Sequence, residues 1–423
     1  MFVNRDEELD ALGKRWSSGA AELLVVYGRR RVGKTALIQE ALRGRDHLYM
    51  LADVRNESGQ IQELARRTYE ATGEPLLRPD AVRSWDPLFE YFARLAERRR
   101  FGLVLDEYPN LTASRPGFSS LIQRAWDERW RHTKLFLVLC GSSISMMERE
   151  ALQRRSPLYG RRTGQFLIEP LPFLATRGFF PELPVDAWIE RYAVVGGVPA
   201  YLEQIGPGRN LQEVLCRDVT ARDRYLYDEV RFMVSEELRE PRNYFSILQA
   251  IALGNTRVNE IAQAAGMPRE AVGRYLDVLR DLGLVDREVP VTEPKPHKSK
   301  KGLYRIRDHY FRFWFRFMFP NMSFLEEHGP KALVEQRIAP TVAEHVAGVF
   351  EEVVTAVLRA MNKAGRLPFQ FERFGRWWSP EAEIDVLGLS PSESALLACE
   401  CKWASRPVGT DALRSLAAKV EAL

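Results

Sequence analysis

The apolar run Leu23-Leu24-Val25-Val26-Tyr27 leads directly into Gly28-Arg29-Arg30-Arg31-Val32-Gly33-Lys34-Thr35, and from there into a helical pattern. No other feature restricts the fold as strongly. A β-rich run, a loop bracketed by two glycines and closed by Lys-Thr, and a helix start form the context of a phosphate-binding loop. The glycines let successive backbone N–H groups, here from Gly28 to Ala36, face phosphate oxygens at a helix N-terminus, where the dipole also favours negative charge. Arg29, Arg30, Arg31, Val32 and Gly33 would line that cradle. Lys34 is expected on the β and γ phosphates of a nucleoside triphosphate such as ATP, and the Thr35 hydroxyl on Mg²⁺. A glycine turn without function is the bland alternative.

A second motif completes such a site. Phe101-Gly102-Leu103-Val104-Leu105 ends in the acidic pair Asp106-Glu107. At the C-terminal edge of a parallel strand these acids lie beside the phosphates. Asp106 would hold Mg²⁺ through its water shell, and Glu107 would orient or deprotonate the attacking water. The run Leu135–Cys140 continues into Gly141-Ser142-Ser143, which places Ser142 near a γ-phosphate, unless that serine only caps a helix. With His47–Ala52 and Gln165–Ile168 these runs make five strand candidates alternating with helical stretches, the pattern of an α/β parallel sheet flanked by helices.

Composition sets outer limits. The chain has 423 residues, 45% of them apolar and 28% charged, which suggests about three domains at roughly 150 residues each. No apolar run reaches the length of a membrane span. The acidic opening lacks a signal-peptide core, so a cytoplasmic location is expected. Four cysteines, none in a CxxC pair, fit reduced thiols rather than a disulfide scaffold or a zinc site. A net charge of +4 neither demands nor excludes nucleic acid, and the 50 Arg against 11 Lys read as genome bias.

From Leu171 to Gly206 the chain is helical with Pro and Gly breaks. Residues 255–287 read as a winged helix-turn-helix: a first helix over Thr256–Ala265, a turn at Gly266–Pro268, and a recognition helix over Pro268–Leu282. The basic loop to Lys301 would be a long wing. Arg269, Arg274 and Arg280, with Lys295, Lys298, Lys300 and Lys301, suit DNA phosphates, although Glu270, Asp277 and Asp281 dilute the charge and a purely structural winged helix is the rival. Tyr310–Phe319 is the most aromatic stretch. It could stack bases, but Arg312 and Arg316 on one stripe favour a buried docking helix. A long helix is expected over Lys331–Asn362. After it, Glu381–Gly388 and Ala398–Trp403 read as strands. Asp385 and Glu400 could hold a divalent cation between them, and Lys402, on the face of Glu400, could orient a water and offset developing charge.

Taken together, the motifs resemble the archaeal-type ATPases of the AAA+-related STAND class. The resemblance also rests on Asn4-Arg5-Asp6-Glu7-Glu8-Leu9, on Pro157-Leu158-Tyr159-Gly160-Arg161-Arg162-Thr163 and on the Gly197-Val198-Pro199 turn. It spans the chain and is most specific over residues 1–205. It implies Arg5 near the adenine, and Arg161 or Arg162 as an arginine finger or γ-phosphate sensor. The C-terminal carboxylates resemble those of the PD-(D/E)XK nuclease fold, in which Glu351 or Glu352 matches the extra helical acid. Relatives of that fold continue into a further strand past the last helix, so the expectation is either truncation at Leu423 or a core closed without that strand. The expected architecture is a P-loop ATPase core with a five-stranded parallel sheet (1–170), a helical lid (171–238), a winged helix (239–320) and a small α/β nuclease-like domain (321–423). The expected partners are ATP and DNA, with no membrane. A homo-oligomer or a protein partner stays open, as does a protein-contact role for the last domain.

Overall fold

The computed structural model of the chain describes residues 2–206, 210–238, 240–421 and 423. These divide into two compact units, residues 1–169 and 170–423. The lid–winged-helix boundary expected at 238/239 touches residue 239, which lies outside the described residues.

The first unit is a parallel α/β sheet. Its strands are β1 (Glu22–Tyr27), β2 (His47–Leu51), β3 (Phe101–Asp106), β4 (Leu135–Gly141) and β5 (Gly164–Leu167), in the order β2-β3-β4-β1-β5 with every pairing parallel. All five expected strands are present, with ends shifted by a residue or so. Every residue of β1, β3 and β4 is buried, which is why they read as unbroken apolar runs. Alternate residues serve opposite faces. Leu24, Val26, Val104 and Val138 pack on α1 (Asp6–Ser17) and α2 (Lys34–Ala41), while Leu23, Val25, Leu103 and Leu137 pack on α3 (Glu57–Thr72), α4 (Asp86–Arg98), α5 (Tyr108–Ser114) and α6 (Phe118–Glu128). The order matters for function. With β4 inserted between β1 and β3, the C-terminal ends of the three strands open side by side, and the short helix α7 (Ile144–Met147) follows β4.

The second unit is mostly helical: α8 (Val185–Val195), α9 (Pro199–Leu202), α10 (Leu211–Val214), α11 (Tyr225–Glu237), then the trihelical α12 (Pro241–Ala252), α13 (Val258–Ala265) and α14 (Arg269–Asp281). Strands β6 (Val285–Glu288) and β7 (Leu303–Ile306) pair antiparallel as a wing. The Gly196-Gly197 turn is dictated by packing: Leu171 N donates to Gly197 O at 2.7 Å, and a Cβ on Gly197 would sit 1.8 Å from Leu171 O.

The aromatic stretch is the hub of this unit. It forms α15 (His309–Phe313) and a π-helical turn over Trp314–Met318, with Tyr310, Phe311, Phe313, Trp314 and Phe315 fully buried. Trp314 Nε1 donates to Tyr227 O at 3.1 Å. Its rings are therefore occupied by the core, and the buried reading of this stretch holds over base stacking. The long helix expected from Lys331 is broken. Helix α16 (Met322–Leu333) passes through a turn to Ile338, and α17 (Val342–Lys363) starts after Pro340, whose ring and missing N–H interrupt a helix.

The C-terminal strands β8 (Arg373–Trp378), β9 (Glu383–Ser390) and β10 (Ala395–Cys399) form an antiparallel sheet in the order β10-β9-β8, followed by α18 (Thr410–Glu421). The strand expected over Ala398–Trp403 thus ends at Cys399. Cys401 N donates to the Asp385 carboxylate at 2.7 Å instead of to a strand carbonyl, so the ladder stops there.

Candidate functional site

The phosphate-binding loop joins β1 to α2, and Gly33 caps that helix in the left-handed region at φ 92°. Gly28 is required sterically: at φ 150°, a Cβ there would lie 2.2 Å from Ile168 O. The buried Lys34 ammonium donates to Gly28 O at 2.9 Å and Arg29 O at 2.8 Å, so it lies within its own loop. The Thr35 hydroxyl donates to Asp106 Oδ2 at 3.0 Å, tying the start of α2 to the end of β3. Asp106 Oδ1 accepts the Glu107 amide at 2.9 Å. At the end of β4, Ser142 Oγ donates to Glu107 Oε1 at 2.8 Å and Oε2 at 2.9 Å. Lys34, Thr35, Asp106, Glu107 and Ser142 are thereby brought together.

Arg5 braces the loop from outside. Its guanidinium donates to Val32 O at 3.2 Å and to Glu169 O, and pairs with Glu8 at 3.1 Å. Arg161 and Arg162 have different surroundings. Arg161 grips both oxygens of Asp127 on α6, with Nε at 3.0 and 2.9 Å. Arg162 donates to Leu152 O at 3.1 Å and lies over the Tyr159 ring. Burial and the Glu148 charge push the Tyr27 phenol up, and the Arg162 charge pulls it back.

The residues fit a hard cation beside a nucleotide. The Thr35 hydroxyl and the Asp106 carboxylate offer oxygen donors on facing elements, the ligand type Mg²⁺ prefers. Tyr49 also donates to Asp106 Oδ2. Burial and the Asp106 charge push the Tyr49 phenol up, which keeps it a donor. Burial, with Asp106 alongside, likewise keeps the Cys140 thiol protonated.

In the winged helix, α13 and α14 match the expected pair with slightly shorter ends, and Arg269 and Arg274 are exposed on α14. Arg280 pairs with Asp277 at 3.4 Å. Of the wing lysines, Lys301 pairs with Glu293 at 2.9 Å, while Lys295, Lys298 and Lys300 are exposed.

The C-terminal acids are only partly assembled. Glu351 lies near Arg376, with Oε2 3.5 Å from Nε, and its carboxyl is pushed up to about 7, first by burial and then by the Asp385 charge. Glu352 turns elsewhere, to Arg312 at 2.7 Å and His309 at 3.1 Å on α15. The structure thus separates two neighbours that the sequence left equivalent. Burial, with the Glu400 charge, raises Asp385. Glu400 is held between Lys402 at 2.6 Å and Lys419 at 2.7 Å. Among the described residues, no group of three His, Cys, Asp or Glu side chains is placed to hold a metal ion.

The chain is similar to known proteins over most of its length. Residues 2–205 match the family described as an ATPase domain predominantly from Archaea. An uncharacterized protein of Methanocaldococcus jannaschii is 36% identical over 403 residues, which cover 95% of this chain and 88% of that protein.

The chain belongs to this archaeal ATPase family.

An uncharacterized ATP-binding protein of the same organism is 57% identical over 42 residues, 10% of this chain and 71% of that protein. Among solved structures, the Walker-type ATPase of Pyrococcus abyssi has a TM-score of 0.58 at 22% identity, covering 74% of this chain and 96% of that one, a likeness of fold. Within this archaeal-type ATPase, residues 245–287 match bacterial regulatory proteins of the arsR family, and residues 314–414 match a family described as archaeal and bacterial proteins of unknown function. No helix among the described residues is long and apolar enough to cross a membrane.

Sequence reasoning missed Tyr49, whose contact with Asp106 depends on the register of β2 against β3. It also missed backbone strain. Among the described residues six non-glycine residues have positive φ, and three of them, Arg5, Arg31 and Glu107, belong to the phosphate loop or its surroundings. Such strain concentrates where a fold over-determines a functional geometry.

Proposed function

We propose that this chain binds and hydrolyses ATP with Mg²⁺, and that the nucleotide state governs a DNA-directed second unit. The observation that carries the reading is the convergence of Lys34, Thr35, Asp106, Glu107 and Ser142 at adjoining strand ends. In this account the loop amides from Gly28 to Ala36 bind the phosphates, and Lys34 exchanges its two loop carbonyls for phosphate oxygens. Thr35 and Asp106 would hold Mg²⁺, which when bound offsets charge on the phosphates. Glu107 orients the attacking water and takes its proton, while Ser142 fixes the carboxylate. Arg162 is favoured over Arg161 as the γ-phosphate sensor, because Arg161 is already committed to Asp127. The winged helix supports DNA contact through Arg269, Arg274 and the wing lysines.

For the C-terminal sheet we infer nuclease ancestry, with Asp385, Glu400 and Glu351 as candidate metal ligands and Lys402 as the water-orienting group. A second reading, a STAND-type regulator whose last domain is an inactive protein platform, is favoured by one observation: both oxygens of Glu400 are neutralised by Lys402 and Lys419. A nuclease assay with Mg²⁺ or Mn²⁺, with and without ATP, on single- and double-stranded DNA separates the two. Metal-dependent cleavage supports the nuclease. ATP-dependent association with a protein partner and no cleavage supports the platform.

A further inference from the structure

The wing does not stand free. Val291, on the wing loop, donates its amide to Arg376 O of β8 at 2.9 Å and accepts from the Arg373 guanidinium at 3.3 Å. Its side chain packs with Trp377, Ile384 and Leu387 of the C-terminal sheet, over Gly375, where a Cβ would press on it at 3.2 Å. Arg376 also reaches Glu288 of β6 at 3.4 Å. The loop is shaped from within as well, since Arg287 donates to Pro296 O at 3.2 Å and to Ser299 O. Wing and sheet therefore form one surface, and between them lies an open cleft of about 520 Å³.

The cleft carries an unusual charge balance. Arg376, three residues beyond Arg373 on β8, faces the carboxylates of Glu288, Glu351 and Glu383. Arg359 and Arg373, which line the cleft, meet only backbone carbonyls: Arg359 donates to Phe374 O at 3.1 Å and Arg373 to Val291 O. Neither has a carboxylate partner among the described residues. The opposite wall is the wing segment Val289, Pro290 and Val291 with Glu293 and Pro296, and the exposed Lys295 and Lys298 flank Pro296 in sequence. Glu293 is taken by Lys301, while Glu372, which also lines the cleft, accepts the Ser392 amide at 3.3 Å. Part of each arginine fork is thus left for an acceptor from outside. Arginines on one wall of an open groove, with exposed wing lysines flanking the other wall, suit a chain of phosphates better than a single anion.

We propose that the cleft between the wing and the C-terminal sheet is a binding site for the phosphodiester backbone of DNA, held jointly by Arg359 and Arg373 on one side and the wing lysines on the other. This deepens the DNA-binding reading above and rests on it. It assigns the C-terminal sheet a direct part in DNA binding, whether or not that sheet cuts. Arg359 lies eight residues beyond Glu351 on α17, about 12 Å along the helix axis. A duplex advances about 3.4 Å per base pair, so a backbone in the cleft would run within three or four base pairs of the carboxylates.

The test is anisotropy of a labelled duplex against salt with the full chain. Three proteins are compared: wild type, the double variant Arg359→Gln/Arg373→Gln, and the triple variant Lys295→Ala/Lys298→Ala/Lys300→Ala. Glutamine keeps an N–H for the Phe374 and Val291 carbonyls, and thermal melting checks that folding is intact. Each phosphate contact contributes about 0.9 to the slope of log affinity against log salt. The arginine variant should therefore lose close to two units of slope and the lysine variant between two and three. An unchanged slope in a folded arginine variant, with a reduced slope in the lysine variant, would overturn the joint site and leave DNA binding by the wing intact. Absence of duplex binding by the wild type would overturn the DNA reading itself.

Discussion

Ser142 Oγ lies 2.8 and 2.9 Å from the two carboxylate oxygens of Glu107, linking the end of β4 to the residue that follows β3. The contact exists because β4 is inserted beside β3 in the sheet, and Glu107 reaches it from a left-handed backbone conformation at φ 51°. A hydrogen bond to a charged group is worth about 1.5–3 kcal/mol. Because this one orients the group assigned to the attacking water, Ser142→Ala should slow ATP turnover roughly tenfold or more. Affinity for a slowly hydrolysed ATP analogue should stay within about twofold. Steady-state turnover and calorimetry measure the two effects separately, and a loss confined to affinity would place Ser142 among the binding groups instead.

The C-terminal carboxylates make a sharper test with asparagine than with alanine. Asp385 accepts the Cys401 amide, so truncation would orphan a backbone donor at a cost of about 1–3 kcal/mol. Asp385→Asn keeps the acceptor and removes the charge. If the sheet is a nuclease, this variant should lose metal-dependent cleavage without a large fall in melting temperature. Lys402→Ala should lose cleavage while largely sparing metal binding, since Lys419 still pairs with Glu400. No cleavage by the wild type under any divalent metal or nucleotide condition replaces the nuclease reading with the platform.

Stability should fall in acid through a buried histidine. His345, on α17, bonds Ala193 O at 2.8 Å between the Phe313 and Phe317 rings. Burial, the largest cause, and then the nearby Arg312, Arg316 and His309 charges pull its pKa from 6.5 down to about 3. The folded state keeps this ring neutral, whereas the unfolded chain protonates it below about pH 6.5. Its contribution is therefore intact above that pH and is lost progressively as pH falls toward 3, by up to about 1.4 kcal/mol per unit. His345→Gln, which retains a donor toward Ala193 O, should flatten the acid limb of melting temperature against pH. An unchanged limb would assign acid sensitivity to other groups.

How much of this could be read in advance depended on sequence distance. Strands β1, β3 and β4 were legible because burial on both faces removes polar residues from them. The phosphate loop was legible because its glycines, Lys34 and Thr35 are contiguous. What was missed depends on chain segments far apart. Tyr49 reaches Asp106 only through the pairing of β2 with β3, and the wing reaches the C-terminal sheet through Val291 and Arg376, 85 residues apart. Glu351 and Glu352 differ only in which neighbour α17 turns them toward, Arg376 or Arg312. The strand end at Cys399 is set by the Asp385 carboxylate on β9, which captures the next amide but one. Pro340 is the exception, since its break in the long helix was visible in the sequence.

The central claim is that the loop from Gly28 to Thr35 is a working nucleotide site. It is tested most directly by calorimetric titration of a slowly hydrolysed ATP analogue, with Mg²⁺, into the wild type, Lys34→Ala and Glu107→Gln. Lys34 is assigned ground-state contacts to phosphate, and Glu107 acts on the water in the transition state. The account predicts saturable binding by the wild type, loss of binding in Lys34→Ala, and near-normal binding in Glu107→Gln with turnover slowed. Unchanged affinity in a folded Lys34→Ala variant would contradict it.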